Sequence, residues 1–285
     1  MMSINTRVAE ARHRLRDAGI PSDEAALDAR LLAQFLLGWD SAQILTSGNE
    51  SATEGFADLY EAAVSRRANR EPLAYITGIR EFWNRPFEVS AAVLIPRPET
   101  EGLVEALLDR FPDADTPLTI VDACTGSGCV AVTIACERPR ARIVATDLSL
   151  SALGVARRNA RRHGVGDRVR CVQTDLIAAL GGQFDVIMSN PPYVPVGVRR
   201  GLQPEVRDFE PQIALFGGDD GLEVATRLLH QSVNRLKPGG HLMFEFGDGQ
   251  EAAVRTLVTA TAGLRLVDIR HDLRSIPRIA VALRE

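Results

Sequence analysis

The four consecutive residues Asn190-Pro191-Pro192-Tyr193 have types and spacing that could do chemistry. They follow the apolar run FDVIMS, which reads as a buried strand, and two prolines there end ladder pairing and stiffen the backbone. Asn190 offers a side-chain carbonyl, Pro191 a main-chain carbonyl, and Tyr193 a flat face with a polar tip. With Pro192 they form a corner suited to a planar -NH2 group. An amide nitrogen is a poor nucleophile because its lone pair is delocalised into the carbonyl. Two acceptors holding both N-H bonds would favour pyramidalisation, aim the lone pair and stabilise positive charge developing on nitrogen. Asn190, Pro191 and Tyr193 are therefore the candidate catalytic residues, and the same three with Pro192 are the candidate substrate-binding set. If the leaving group departs as a neutral molecule, the remaining task is alignment and no dedicated general base is obviously required.

A second constellation ends an earlier apolar run. LTIVDA leads into Cys124-Thr125-Gly126-Ser127-Gly128 and then into a helical stretch from Cys129 to Cys136. A strand, a glycine turn and a helix put backbone N-H groups at the carboxyl edge of a sheet, where open α/β folds bind nucleotide-like ligands. Gly126-x-Gly128-x-x-Ala131, with Asp147 downstream, also satisfies a loose dinucleotide fingerprint, so a nicotinamide-dependent dehydrogenase is a rival. Charge separates the two. Asp122 at the strand tip would repel a pyrophosphate but could face the ammonium of a methionine moiety, which favours S-adenosylmethionine, with S-adenosylhomocysteine as product. Asp147, ending the next strand, could accept hydrogen bonds from ribose hydroxyls. Asp175 could meet the adenine amino group while Leu176 covers the ring, and Asn190 is also counted with this cofactor-binding set.

The elements that must position these residues are legible as two regimes. Residues 1–78 show helical periodicity; in DEAALDARLLAQFLLG, Ala26, Leu27, Leu31, Leu32, Phe35 and Leu36 fall on one broad stripe. Residues 79–97 read as a β-hairpin linker, with apolar runs between Phe82 and Ile95 on either side of Pro86. Over residues 98–285, LTIVDA, ARIVATD, VRCVQTD, FDVIMSN, HLMFEF, LRLVDIR and RIAVAL alternate with helical runs. Strands spaced by helices imply parallel pairing and a Rossmann-like α/β sheet. The last two runs are joined by too few residues for a parallel crossover, so the last strand of the seven should be antiparallel.

Composition narrows the classes. The 285 residues are 45% hydrophobic and 25% charged, enough for a substantial core. A formal charge of -4 gives no whole-chain basic field, which argues against direct nucleic-acid binding through phosphates. Arg157, Arg158, Arg161 and Arg162 form a local basic run, read as a solvated helix face. The four cysteines lack C-x-x-C spacing and the five histidines are scattered, so no metal is expected. No long apolar segment or leader is visible, which points to the cytoplasm and not a membrane.

Asp122-Ala-Cys-Thr-Gly-Ser-Gly128, Asn190-Pro-Pro-Tyr193 and Ile95-Pro-Arg-Pro-Glu-Thr-Glu101 together resemble the HemK/PrmC family, the release factor glutamine methyltransferases. The resemblance extends to GIREFWNRPF before the hairpin, Gly217-Gly-Asp-Asp-Gly221 and Glu245-Phe-Gly247, and so covers nearly the whole chain. It implies methylation of N5 of the glutamine in the Gly-Gly-Gln loop of class I peptide release factors; a monomer is expected, with the helical N-terminal domain binding the substrate. It also implies that Cys124 to Gly128 line the methionine end of the cofactor, Asp147 its ribose and Leu176 its adenine, with the corner for the glutamine. Cys124 stands where the family often has glycine. A related ribosomal-protein glutamine methyltransferase shares the Asn-Pro-Pro-Tyr corner but typically carries Pro-Arg-Ser where this chain has Pro96-Arg97-Pro98-Glu99, which favours the release-factor branch. Nucleic-acid adenine N6 methyltransferases bind a similar planar amine, but no basic target-recognition domain is visible here.

Overall fold

The computed structural model describes residues 2–285. Five helices come first: α1 (Ile4–Asp17), α2 (Ser22–Leu37), α3 (Ser41–Ser47), α4 (Glu54–Ala68) and α5 (Leu73–Thr77). A hairpin of β1 (Ile79–Phe82) and β2 (Arg85–Glu88) precedes α6 (Glu101–Arg110). The alternating region holds β3 (Thr119–Ala123), α7 (Cys129–Glu137), β4 (Arg142–Asp147), α8 (Leu150–Arg162), β5 (Val169–Gln173) and β6 (Phe184–Ser189). It continues through α9 (Pro204–Phe209), α10 (Gln212–Leu215), α11 (Glu223–Val233), β7 (Leu236–Glu245), α12 (Glu251–Ala260), β8 (Leu264–His271) and β9 (Pro277–Arg284). None of these helices is long and apolar enough to cross a membrane.

The chain divides into two compact units, Met1–Gly78 with Gln203–Phe209, and Ile79–Leu202 with Glu210–Glu285. In the first, Ser3 and Thr53 cap α1 and α4, and Asp40 with Gln43 forms a capping box that starts α3. The buried face of α2 is Ala25, Asp28, Ala29, Leu32 and Ala33, while Leu27 and Phe35 are exposed. The sequence stripe was thus rotated from the real one. Alanines at 25, 29 and 33 let neighbouring backbones approach closely, and Asp28 is buried because Arg67 of α4 hydrogen-bonds it at 2.6 Å. The Arg67 guanidinium also reaches Glu24 at 2.7 Å and Glu205 at 2.9 Å. Glu205 lies on α9, so a buried arginine binds this distant segment into the helical unit, which hydrophobic periodicity could not reveal.

The hairpin starts where expected but is shorter, ending at Glu88. Trp83 and Asn84 both take φ 53, the paired left-handed conformation of a tight two-residue turn, which pairs Phe82 with Arg85 and places Pro86 inside β2. Pro86 is tolerated because each strand of a two-stranded ribbon is an edge. The main sheet has the order β5-β4-β3-β6-β7-β9-β8. Pairing is parallel from β5 to β7, and β9 runs antiparallel to both β7 and β8. One face packs through Ile120, Val186, Met188 and Val281 and the other through Val121, Ile187, Leu242 and Phe244. Strands buried on both faces explain the near-continuous apolar runs. The strand order reverses between β3 and β6, and the crevice at that switch point is where such sheets bind ligands.

Candidate active site

At the carboxyl ends of β3 and β6 an open cleft with about 1170 Å³ between its walls is lined by Cys124, Thr125, Gly126, Ser127, Asp147, Asp175, Leu176, Asn190 and Pro192. Gly128, Pro191 and Tyr193 fall outside that lining. Gly128 serves packing instead: at φ +79, a Cβ there would sit 3.0 Å from Ala156 Cβ of α8. Gly126, at φ +54, has open space where a side chain would project, so its backbone is approachable from the cleft.

Asp147 is anchored by two backbone donors and lines the cleft. Its Oδ2 accepts from Gly126 N-H at 3.0 Å and its Oδ1 from Ser149 N-H at 2.9 Å, and each oxygen keeps a second lone pair for a hydroxyl. Burial raises its pKa against these N-H donors. Asp175, half exposed, is ion-paired with Arg227, and both line the cleft. Leu176 is buried at φ 52, with its carbonyl held by the Thr146 hydroxyl at 2.7 Å. Cys124 takes φ 58, the left-handed region that glycine adopts most readily, and burial followed by the Asp147 charge pushes its thiol up to about 12. It is a neutral wall.

Asp122 also lines the cleft, and it is tied into its own loop. Its Oδ2 accepts from the Thr125 hydroxyl at 2.6 Å and from Ala131 N-H at 3.2 Å, so it fastens the glycine turn to the start of α7. Burial pushes its carboxyl up to about 7, which leaves only part of a charge at neutral pH. The loop is further fixed by Asn159 of α8, whose Nδ2 donates to Ser127 O at 2.8 Å and to Glu88 O of the hairpin at 2.9 Å.

The corner is built from β6 outward. Ser189 Oγ donates to Ala123 O at 2.8 Å, tying β6 to β3 just before Asn190. Asn190 Nδ2 donates to Thr100 Oγ1 at 2.9 Å, which fixes the amide plane and leaves Oδ1 as the free acceptor. No backbone N-H among the described residues is directed at the Pro191 carbonyl. Gln250 Nε2 donates to Tyr193 O at 3.0 Å, and Val194 pairs with Phe216 in a single parallel bridge. A Cβ at Gly217 would lie 2.3 Å from Pro192 O and one at Gly221 2.2 Å from Tyr193 O, so the Gly-Gly-Asp-Asp-Gly loop packs directly on the corner's backbone. Tyr193 stands on Glu245: its hydroxyl donates to Glu245 Oε1 at 3.1 Å.

Family models match residues 8–78 as the PrmC N-terminal domain and 101–200 as the methyltransferase small domain. The chain is 41% identical to a release factor glutamine methyltransferase of Nitratidesulfovibrio vulgaris, over 96% of this chain and 92% of that one. A protein of the same name from Cereibacter sphaeroides is 43% identical, covering 94% of each chain. The chain belongs to the release factor glutamine methyltransferase family. A methyltransferase from Pyrococcus furiosus with a known crystal structure matches the fold at a TM-score of 0.52 and 19% identity, covering 78% of this chain and 96% of that one.

Within this family member, the stretch Arg97 to Glu101 proves to be a distribution point. Arg97 pairs with buried Glu210, Glu99 reaches Arg274 at 3.3 Å, Thr100 holds Asn190, and Glu101 accepts from Trp83 N-H at 2.7 Å. Of the residues that brace the site, Thr100, Asn159, Glu245 and Gln250 had no assigned role in the sequence reading. Thr100 and Glu245 sit in motifs that carried the family resemblance, the one signal that could have flagged them. Arg158 of the basic run pairs with Glu88, while Arg157 and Arg161 line a separate small hollow with Arg170.

Proposed function

We propose that this chain transfers the methyl group of S-adenosylmethionine to the side-chain amide nitrogen N5 of the Gly-Gly-Gln glutamine in class I peptide release factors. The observation that carries this reading is the Asn190 amide, locked by Thr100 so that Oδ1 is a committed acceptor at the cleft. When bound, S-adenosylmethionine supplies an electrophilic methyl carbon on a sulfonium. Asp147 and the backbone at Gly126 would hold the ribose side of the cofactor, Leu176 its adenine, and Cys124 to Ser127 its methionine end. Asn190 Oδ1 and the Pro191 carbonyl accept the two N-H bonds of the glutamine amide, while Pro192 and Tyr193 hold the corner rigid. Fixed dipoles stabilise positive charge on that nitrogen without reorganising.

The helical unit is the part that docks the release factor. Leu27, Phe35, Leu45 and Leu59 are exposed apolar side chains on it, available for a protein partner. The protein acts as a monomer in the cytoplasm on a protein substrate, without direct nucleic-acid contact, in keeping with its net charge of -4. Mass spectrometry of a class I release factor after incubation with the enzyme and methyl-labelled cofactor tests this. One labelled methyl on the loop glutamine is expected; label elsewhere, or none, overturns the reading.

A further inference from the structure

Glu245 ends β7 and is 1% exposed, one of the most completely buried carboxylates in the molecule. A buried carboxyl is retained at a cost unless its oxygens are satisfied. Here only one is: Oε1 accepts the Tyr193 hydroxyl at 3.1 Å, and Oε2 has no hydrogen-bond partner. No arginine or lysine forms an ion pair with it among the described residues, although other buried acids such as Glu210 have one. Packing alone would favour an apolar residue at this position. The carboxyl adjoins both ends of the corner. Tyr193 touches it directly, and the Thr100 hydroxyl, which holds the Asn190 amide at 2.9 Å, also stabilises its charged form. Gly247, two residues on, keeps Tyr193 close, since a Cβ there would approach the ring at 3.2 Å.

We propose that Glu245 is a positioning residue for methyl transfer: through the Tyr193 and Thr100 hydroxyls it sets the orientation of the Asn190 to Tyr193 corner. The inference rests on the function proposed above and assigns that reaction a residue outside the corner itself. Glu245 does not itself line the cleft and makes no hydrogen bond to Asn190, so its effect passes through its two hydroxyl neighbours, of which Thr100 lines the cleft. Burial is the largest influence on the carboxyl and pushes it up to about 7, against the pull of the Thr100 and Tyr193 hydroxyls and of Arg278 on β9, while Glu99 pushes it further up. Arg97 acts on Tyr193 and Cys129 of α7 lies within reach of the Glu245 charge. The ionised carboxylate accepts the stronger hydrogen bond from Tyr193, so the corner is held most firmly above the midpoint.

The test has two arms, both on the full-length protein. In the first, ring-labelled tyrosine is followed by NMR without substrate; the chain has three tyrosines, which makes assignment of Tyr193 practical. The Tyr193 signal should shift with a midpoint near pH 7, as burial of Glu245 dictates, and Glu245→Gln should abolish that shift. A Tyr193 signal that does not titrate, or titrates unchanged in the variant, overturns the inference. In the second arm, Glu245→Ala should lower kcat on the order of 100-fold, the penalty for a small misplacement of reacting groups, with cofactor Kd unchanged by calorimetry. Glu245→Gln, which keeps an acceptor for Tyr193 and guards against loss of fold in the alanine variant, should recover most of that loss and flatten the rise of kcat through neutral pH. Wild-type kcat in folded Glu245→Ala, or a loss confined to cofactor affinity, also overturns it. If the NMR titration appears but the wild-type enzyme methylates no release factor, the substrate reading fails and the Glu245 coupling stands.

Discussion

Glu205 and Glu245 are both withdrawn from water, but the two units surround them differently. Glu205, in the helical unit, faces the Arg67 and Arg70 guanidinium groups at 2.9 and 2.7 Å. Burial works against its charge, yet the Arg70 and Arg67 hydrogen bonds outweigh burial and hold the carboxyl below the usual glutamate range. Glu245 faces hydroxyls and keeps one oxygen unpartnered, so burial prevails. A buried charge with its partners in place fastens one segment to another; a carboxyl left under-partnered beside the corner marks a place where stability is given up for function.

The comparison breaks first at Arg67. Its burial opposes the charge, but the hydrogen bonds it donates to Asp28 and Glu205 push its pKa up, so it stays a cation surrounded by acids. Arg67→Ala strands Asp28 in the interior and should destabilise the protein by about 3 to 5 kcal/mol, read from the urea midpoint at constant slope. A loss under about 1 kcal/mol would mean that the cluster is solvated in practice and the contrast with Glu245 is empty.

A smaller effect sharpens the contrast through pH. Glu245 and Asp122 are both pushed up to about 7 in the folded protein, above their unfolded values, so between the two the folded state binds more protons than the unfolded one. Stability should therefore fall as pH rises toward 7, by on the order of 1 kcal/mol per pH unit for each group. Glu205 has the opposite sign: its contribution is present above the ordinary glutamate range and is lost as pH falls below it. Urea midpoints across mildly acidic to neutral pH should thus decline, and Glu245→Gln should flatten part of that decline. A midpoint that rises through this range would contradict the assignment.

The sheet and the cleft were largely legible because their signals are local. Runs such as FDVIMS are apolar on both faces, Gly126 and Gly128 mark a left-handed turn, Asp147 ends a strand and Asn190 follows directly on one. What was not legible depends on partners far away in sequence. Thr100 meets Asn190 across 90 positions and Asn159 meets Glu88 across 71, so neither contact leaves a periodic trace. The face of α2 was misplaced because alanine packing and the Asp28 to Arg67 pair override the leucine stripe. The part Asp122 plays in its own loop was not legible, because the hydrogen bonds it accepts from Thr125 and Ala131 leave no pattern in the sequence. Gly128 likewise lies in the fingerprint but serves the approach of α8.

Asn190→Ala tests the central claim most directly, with cofactor affinity measured by calorimetry and methyl transfer to release factor measured on the same preparation. Affinity should remain within a few-fold of wild type, because Asp147 and the glycine loop persist, while kcat falls on the order of 100-fold or more, as for removal of one preorganised donor or acceptor. Wild-type turnover in this variant, or a fall explained by lost cofactor binding, would contradict a corner that works by holding the glutamine nitrogen.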